Sequence, residues 1–459
     1  MFKKDTIAAI ATGMTNAGIG IIRISGEDAI AVADKVFRAK NPDKKLAMTK
    51  SYSALFGNIC DGDCVLDEAI CLVMRAPNSY TTEDVVEVQC HGGIVMLRKI
   101  LELILNSGAR AAEPGEFTKR AFLGGRIDIT QAESVMDMIH AKNELAARSS
   151  ISQLKGSLSN RVKEIRSLLL NQIAFIESAL DDPENYSLDG YSEQLKEKLE
   201  EIIKEIRHLI DTAEEGKMIK EGIRTVILGK PNAGKSSLLN ALLGENRAIV
   251  TDIAGTTRDT LEEDVMIHGI PLKIVDTAGI HETVDIVEKI GVDKARESVE
   301  EADLVLYVVD GNKPLDADDT QIIGLLEGKK AIIVMNKIDI EQVVDKMWIT
   351  SKINAPVVEI SAKTGEGMEE LYGIIKDMFF HGKLSMNDEV YITNLRHKQA
   401  LAEAEQSLEQ VLSSIDRNMP EDFLSIDLMA AYEQLGTILG ESLDDDLANE
   451  IFDKFCMGK

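Results

Sequence analysis

The run Gly229-Lys-Pro-Asn-Ala-Gly-Lys-Ser236 bounds the fold more tightly than any other part of the chain. It satisfies G-x-x-x-x-G-K-[ST] in full, with an apolar strand pattern, Thr225-Val-Ile-Leu228, before it and a helical pattern, Ser237-Leu-Leu-Asn-Ala-Leu-Leu243, after it. A loop between a strand and a helix aims several backbone N–H groups at one anion only if glycines supply the bends. The helix N-terminus adds its dipole to the attraction. In such a loop the lysine, Lys235, reaches the β- and γ-phosphates and Ser236 holds Mg²⁺. The alternative, a plain Gly/Asn turn, does not account for the partner motifs downstream.

Those motifs follow in order, each behind an apolar strand. Asp276-Thr-Ala-Gly279 comes after Leu272-Lys-Ile-Val275; its carboxylate suits water-mediated Mg²⁺ binding and the Gly279 N–H suits a γ-phosphate. Asn336-Lys-Ile-Asp339 follows Ala331–Met335. A carboxylate at Asp339 accepts from the N1–H and exocyclic amine of guanine, whereas adenine has no donor at those positions and would leave it unpaired. Ser361-Ala-Lys363, after Val357–Ile360, resembles the loop over guanine O6 in GTPases. The expected nucleotide set is therefore Asn232, Ala233, Gly234, Lys235, Ser236, Ser237, Asp276, Thr277, Ala278, Gly279, Asn336, Lys337, Asp339, Ser361, Ala362 and Lys363. To these are added Thr251, Asp252, Ile253, Ala254, Gly255, Thr256 and Thr257 from the loop beyond the first helix. Each motif alone is weak; together and in this order they define a GTPase.

At 459 residues the chain is long enough for two or three domains. No apolar run approaches the roughly 18 residues of a membrane helix. Lys3 and Lys4 near the start have no apolar stretch of signal-peptide length behind them, so no secretory leader is expected. Five cysteines form no even disulfide framework, which points to a reducing, cytoplasmic setting. The formal charge of −27 is uneven. Residues 1–120 balance at 15 basic and 15 acidic side chains, while 221–380 carry 17 against 29 and 381–459 carry 6 against 16. A broad RNA-gripping face would be basic, because phosphate neutralisation supplies most of the affinity. Contact with nucleic acid is thus expected to be local, or carried mainly by another subunit.

The fold class expected is α/β plus all-α, a P-loop GTPase domain inserted in a helical bundle behind an N-terminal α+β domain. Residues 1–120 mix strands (Ile21–Ile24, Asp84–Val88) with helices (Ile30–Phe37, Val95–Asn106). In 121–220 the helical period runs through Gln131–His140, Glu144–Ser159, Leu158–Ile176 and, beyond Asp181-Asp-Pro183, Glu193–Thr212. Residues 388–459 are helical again. Neither helical piece closes a core alone, so 121–220 and 381–459 are expected to pack as one discontinuous domain around a GTPase domain at 221–380.

The whole chain resembles the MnmE (TrmE) family of tRNA modification GTPases. The likeness rests on Gly229–Ser237, Thr251-Asp-Ile-Ala-Gly-Thr-Thr-Arg-Asp259, Glu113-Pro-Gly-Glu-Phe117 and above all Phe455-Cys-Met-Gly-Lys459, which GTPases at large lack. The resemblance implies a homodimer whose N-terminal domains meet and bind a one-carbon (5-formyl- or methylene-) tetrahydrofolate. It further implies an FAD-containing MnmG-like partner in a heterotetramer that meets tRNA mainly through that partner. Together they would install an aminomethyl-type (carboxymethylaminomethyl) group at C5 of the wobble uridine. Folate contacts carry over to Arg23, Glu87, Arg126 (where the family often has lysine) and Lys459. Cations suit the folate carboxylates, and Glu87 suits the pterin donors. Without the resemblance, Arg23 and Glu87 read as an ion pair between strands. Cys456 reads either as a catalytic thiol or as a small buried group at a helix end.

For hydrolysis, the position after D-x-x-G is Ile280, which cannot orient water as a glutamine would. The resemblance implies Glu288 as the carboxylate that acts through water; Glu282 and His281 share its segment. No arginine is placed to meet charge developing between the phosphates. Oxygens of Asn232, Thr251, Ile253 and Thr256 could instead cage K⁺ there, with Thr257 joining Ser236 on Mg²⁺. In the family that cage forms when two GTPase domains meet. A ribosome-assembly GTPase is a rival reading, but that class usually adds a basic RNA-binding domain. A GTP-timed scaffold is another; recovery of a flavoprotein subunit would separate these.

Overall fold

The computed structural model describes residues 5–245, 262–275, 297–344, 346–380 and 390–441, together with 451, 452, 455 and 458. The chain divides into two compact units: Met1–Met136, Gln153–Asp189 and Ser414–Lys459 in the first, Asp137–Ser152 and Gly190–Ser413 in the second.

In the first unit a seven-stranded sheet has the order β3-β4-β5-β6-β2-β1-β7. Its strands are β1 (Ile7–Ile10), β2 (Ala17–Ser25), β3 (Phe37–Ala39), β4 (Ser53–Asp61), β5 (Cys64–Met74), β6 (Val85–Gly92) and β7 (Arg110–Ala111). Strand alternation sorts β2 by face. Ile22 and Ile24 point into a core that Leu97, Ile100 and Ile104 of the helix Ile94–Asn106 close, with Ala29, Val32 and Val36 of the helix Ala29–Val36. Arg23 lies on the opposite face, paired in register with Ala9 of β1 and Glu87 of β6. Ile7, Ala9, Ala112 and Phe117 pack on that side, Phe117 entering from the helix Glu116–Leu123. The β4–β5 hairpin, turning at Gly62 with φ +59°, was not expected from the sequence pattern.

Two long helices of this unit, Ser157–Asp181 and Glu421–Leu439, pack together. The Arg166 guanidinium sits 4.0 Å from the Tyr432 ring centroid and pairs with Glu441 at 2.6 Å. Gly436 leaves room for it, since a Cβ there would fall 3.1 Å from Arg166 Nη2. The uninterrupted helix expected over 144–159 is instead two: Glu144–Leu154 ends, Gly156 turns with φ +90°, and the next begins at Ser157. A left-handed residue cannot continue a right-handed helix, so the apolar period carries across a break.

The second unit contains a six-stranded sheet of order β13-β12-β11-β8-β10-β9. Here β8 (Ile223–Gly229), β10 (Ile270–Val275), β11 (Leu304–Asp310), β12 (Ala331–Asn336) and β13 (Val357–Ile360) are parallel, and β9 (Glu262–Ile267) runs antiparallel on the edge. Parallel strands covered on both faces read as unbroken apolar runs, as Leu304–Val309 does. One face is closed by Leu238 and Leu242 of the helix Lys235–Glu245 with Leu371, Ile375 and Phe379 of Met368–Phe380. The other is closed by Ile323, Leu326, Val299 and Ile349. The helix Tyr191–Glu221 runs well past Thr212, where the sequence pattern alone would end it. It meets Leu395–Asp416 through Arg207, which pairs with both Glu405 and Glu409. No described helix is long and apolar enough to cross a membrane.

Candidate functional site

The nucleotide loop lies where β8 feeds chain to neighbours on both sides, β10 and β11, which is the switch point of an open parallel sheet. Register puts its partners level with it. Val308 is opposite Gly229, Asp310 opposite Asn336, and Asn336 opposite Ile360, so the carboxyl ends of β8, β11, β12 and β13 share one edge.

Two glycines of the motif are demanded by contacts. Gly229 has φ +153°, and a Cβ there would collide with the Val308 carbonyl. Gly234 has φ +103°, and a Cβ would strike the Asn336 amide nitrogen. Between them Asn232 takes the left-handed conformation at φ +65°. Lys235 opens the helix, its ammonium donating to the Gly229 carbonyl at 2.6 Å and the Lys230 carbonyl at 2.9 Å. Burial pushes its pKa below the ordinary lysine value. Ser236 and Ser237 stand exposed in the first turn.

Asn336 ties the site together. Its Nδ2 donates to Ala233 O at 3.0 Å, while its Oδ1 accepts from Lys337 N at 2.8 Å and Ala362 N at 3.0 Å. The phosphate loop and the Ser361–Lys363 loop are thereby fixed to one side chain. Lys337 Nζ donates to Asn232 O at 2.8 Å and to Asp310 Oδ2 at 2.7 Å. Asp339 Oδ1 accepts from the buried Ser361 hydroxyl at 2.8 Å, which holds one carboxylate oxygen and sets the direction of the other. Asp310 was not among the expected residues, although a carboxylate closing an apolar strand of the same sheet is a signal that could have found it. Thr251, Asp252, Ile253, Ala254, Gly255, Thr256, Thr257, Asp276, Thr277, Ala278, Gly279 and Glu288 lie outside the described residues.

A second cluster forms on the N-terminal sheet. Arg23 Nε donates to Glu87 Oε1 at 2.9 Å, with both side chains 16% exposed. Arg23 Nη1 reaches the Gly458 carbonyl at 3.2 Å, and its guanidinium lies 5.5 Å from the Phe117 ring centroid and 5.7 Å from that of Tyr80. Arg126 joins through the same tyrosine, 4.9 Å from its ring centroid and bonded to its carbonyl at 3.0 Å. Arg23, Glu87 and Arg126 thus come together around Tyr80, which sequence reasoning did not single out. Cys456 and Lys459 lie outside the described residues, but their neighbours are seated. Phe452 and Phe455 pack with Ile129 and Ala132, and a Cβ on Gly115 (φ +66°) would collide with the Phe452 carbonyl. Beneath them Glu116 binds Arg110 Nη2 at 2.6 Å, Arg120 Nη2 at 2.9 Å and Glu113 N at 2.8 Å. The Glu113–Phe117 motif is therefore a seat: glycine for close approach, glutamate for the ion network, phenylalanine for the floor under Arg23.

A phosphate loop at the switch point of a parallel sheet, bridged by asparagine to an oriented aspartate, defines a P-loop protein of the GTPase class. Comparison with known proteins narrows this. The family model described as "GTP-binding protein TrmE N-terminus" matches residues 6–126, and that described as "MnmE helical domain" matches residues 129–456. The tRNA modification GTPase MnmE of Lachnoclostridium phytofermentans is 56% identical, covering 100% of both chains. Those of Clostridioides difficile and Acetivibrio thermocellus are 48% and 46% identical, again over 100% of both. The chain belongs to the MnmE family.

Proposed function

We propose that the chain is a GTP-hydrolysing enzyme of tRNA modification, working as a homodimer with an FAD-containing MnmG-like subunit. Its product would be an aminomethyl-type group at C5 of the wobble uridine, with a one-carbon tetrahydrofolate as donor. The observation that carries the GTP reading is Asp339, oriented by Ser361 and joined through Asn336 to the phosphate loop. A fixed carboxylate beside bound base accepts two guanine donors and discriminates against adenine by leaving itself unpaired.

Lys235 and the loop N–H groups hold the phosphates, and their charge counts most where charge develops. An exposed hydroxyl at the first helical turn suits one Mg²⁺ position, so Ser236 with Thr257 would hold that ion, which neutralises phosphate charge when bound. Asn232, Thr251, Ile253 and Thr256 would hold K⁺. Glu288 would orient the attacking water, since Ile280 has no polar atom to do so. The cluster of Arg23, Glu87, Arg126 and Tyr80 supports the folate reading by its chemistry: two cations for carboxylates, a carboxylate for pterin donors and an aromatic face. Lys459 would complete it from the segment that Gly115 seats, with Cys456 three residues before it as the candidate catalytic thiol.

Asp339→Asn tests the base site. The amide presents a donor where guanine has donors and xanthine an acceptor, so GTP affinity should fall by about 2–5 kcal/mol while xanthine nucleotides gain. Competition binding decides it; unchanged guanine preference removes Asp339 from the site.

A further inference from the structure

Next to the site is an ionic cluster, buried at Asp319 and Tyr307 and open to solvent at Asp316, that none of the GTP chemistry above uses. Lys230, the residue after Gly229, extends its ammonium to Asp316 Oδ1 at 2.6 Å and Asp319 Oδ2 at 2.5 Å. The Asp319 side chain is 5% exposed. Its other oxygen accepts from the Tyr307 hydroxyl at 2.6 Å, and Asp316 N donates to Oδ2 at 2.9 Å. Asp316 in turn caps the helix Ala317–Leu325 by accepting from Asp318 N and Asp319 N. Tyr307 lies on β11 in register with Leu228, one residue before the loop begins.

The cluster is connected to the phosphate-lysine through one residue. The Lys230 carbonyl accepts from Lys235 Nζ at 2.9 Å and from Ala233 N at 3.2 Å. On the far side the loop is gripped again, at Asn232 O by Lys337 and at Ala233 O by Asn336. Lys337 is itself held by Asp310, six residues ahead of Asp316 on the same connection. An ion pair with one partner buried adds little net stability against a packed apolar replacement; its effect here is to tie two segments together. What this one fixes is the entry of the phosphate loop.

We infer that Lys230 is a positioning residue for nucleotide binding, its ammonium anchoring the first turn of the phosphate loop to β11 and to the helix cap at Asp316. The inference rests on the GTP reading given above. With the anchor in place, Gly229–Pro231 cannot pivot and the N–H groups of residues 232–235 keep their convergence. Released, the entry of the loop keeps only its backbone ties to β11, to Lys235 and to Ala233, so every phosphate-bound state suffers alike. Uniform loss of that kind raises Kd and KM and leaves kcat nearly unchanged.

The experiment compares Lys230→Met, Lys230→Arg and Tyr307→Phe with the parent, reading binding of a fluorescent GTP analogue, steady-state GTP turnover and thermal unfolding. Lys230→Met should raise Kd about tenfold with saturated turnover within about threefold of the parent, and Lys230→Arg should recover most of the loss. Tyr307→Phe, which removes one hydroxyl and keeps the ring, should move Kd the same way by less. It carries the test if Lys230→Met does not fold. A cluster that only stabilises the fold would lower the unfolding temperature and leave Kd within about twofold well below it, which overturns the inference. Equal loss in the methionine and arginine variants also overturns it. A parent that binds no guanine nucleotide brings down the GTP reading itself, and this is read first.

Discussion

Asp339, Asn336, Gly229 and Gly234 are each required by identifiable contacts, which is why they were legible in the sequence. A residue type forced by a φ angle or a single bond survives as a motif. Lys230 and Tyr80 were not legible, because their partners are set by register and by helix placement, and a lone lysine or tyrosine carries no spacing to read; Asp310 had a signal in its place at the end of an apolar strand, but not one that names its partner Lys337. The residue with the sharpest catalytic expectation is Glu288. A group that acts only as water attacks should affect kcat and leave nucleotide affinity nearly intact. Glu288→Ala should therefore lose roughly 10²-fold or more in single-turnover hydrolysis at saturating GTP and K⁺, about 3 kcal/mol at the barrier. Glu282→Ala should be mild beside it. A surface glutamate in an exposed ion pair would change the rate by less than about threefold, and that result would rule out the role.

Among the elements, the Glu113–Phe117 turn deserves to be read with the late segment it receives. Gly115 is left-handed and within collision range of the Phe452 carbonyl, so a methyl group there is strained twice. The φ alone costs about 1–3 kcal/mol for a non-glycine residue. Gly115→Ala should raise amide exchange at Phe452 and Phe455 and leave the β12 amides as protected as before. Exchange at Phe452 and Phe455 unchanged from the parent would show the seat to be dispensable. The apolar period foretold helices on both sides of Gly156 but not the turn itself, since a glycine inside a helical pattern is compatible with either outcome. The β3–β5 region was missed for a different reason. Residues such as Phe56 and Ile70 are exposed, so the strict inside–outside alternation that marks a half-buried strand is blurred there.

For the molecule as a unit, acid sensitivity follows from the network around Arg120. Hydrogen bonding to Arg110 holds the Asp5 carboxyl below its usual pKa, with Arg120 assisting. Burial would raise that of Glu116, but Arg110, the Glu113 N–H and Arg120 together hold it low. Carboxylates depressed in the folded state stabilise it fully above their unfolded pKa, about 4, and that stability is lost as pH falls through the folded values. Glu116→Gln should cost about 1.5–3 kcal/mol at neutral pH, where Arg120 keeps Asp5 and Glu83 as partners. The gap between variant and parent should hold from pH 7 to about 5 and narrow below about 4. Parallel denaturation curves at every pH would contradict this. A second prediction rests on the proposed homodimer. If the cation cage closes only when two GTPase domains meet, turnover in K⁺ should exceed that in Na⁺ and rise with protein concentration, with Asn232→Ala blunting the difference. Equal rates in both salts at matched ionic strength would exclude the cage.

The bond from Arg23 to the Gly458 carbonyl spans 435 residues of sequence. On the ribosome, the sheet carrying Arg23 emerges early, and the GTP site can be completed well before residues 452–458 appear. All the described residues of the GTP site, Gly229 to Lys363, thus precede the segment that packs over Gly115. Arg23, Glu87 and Arg126 can meet around Tyr80 early, whereas the contact with the Gly458 carbonyl forms only after translation has passed this stretch, so the cluster is assembled in two stages separated by the whole of the GTP site.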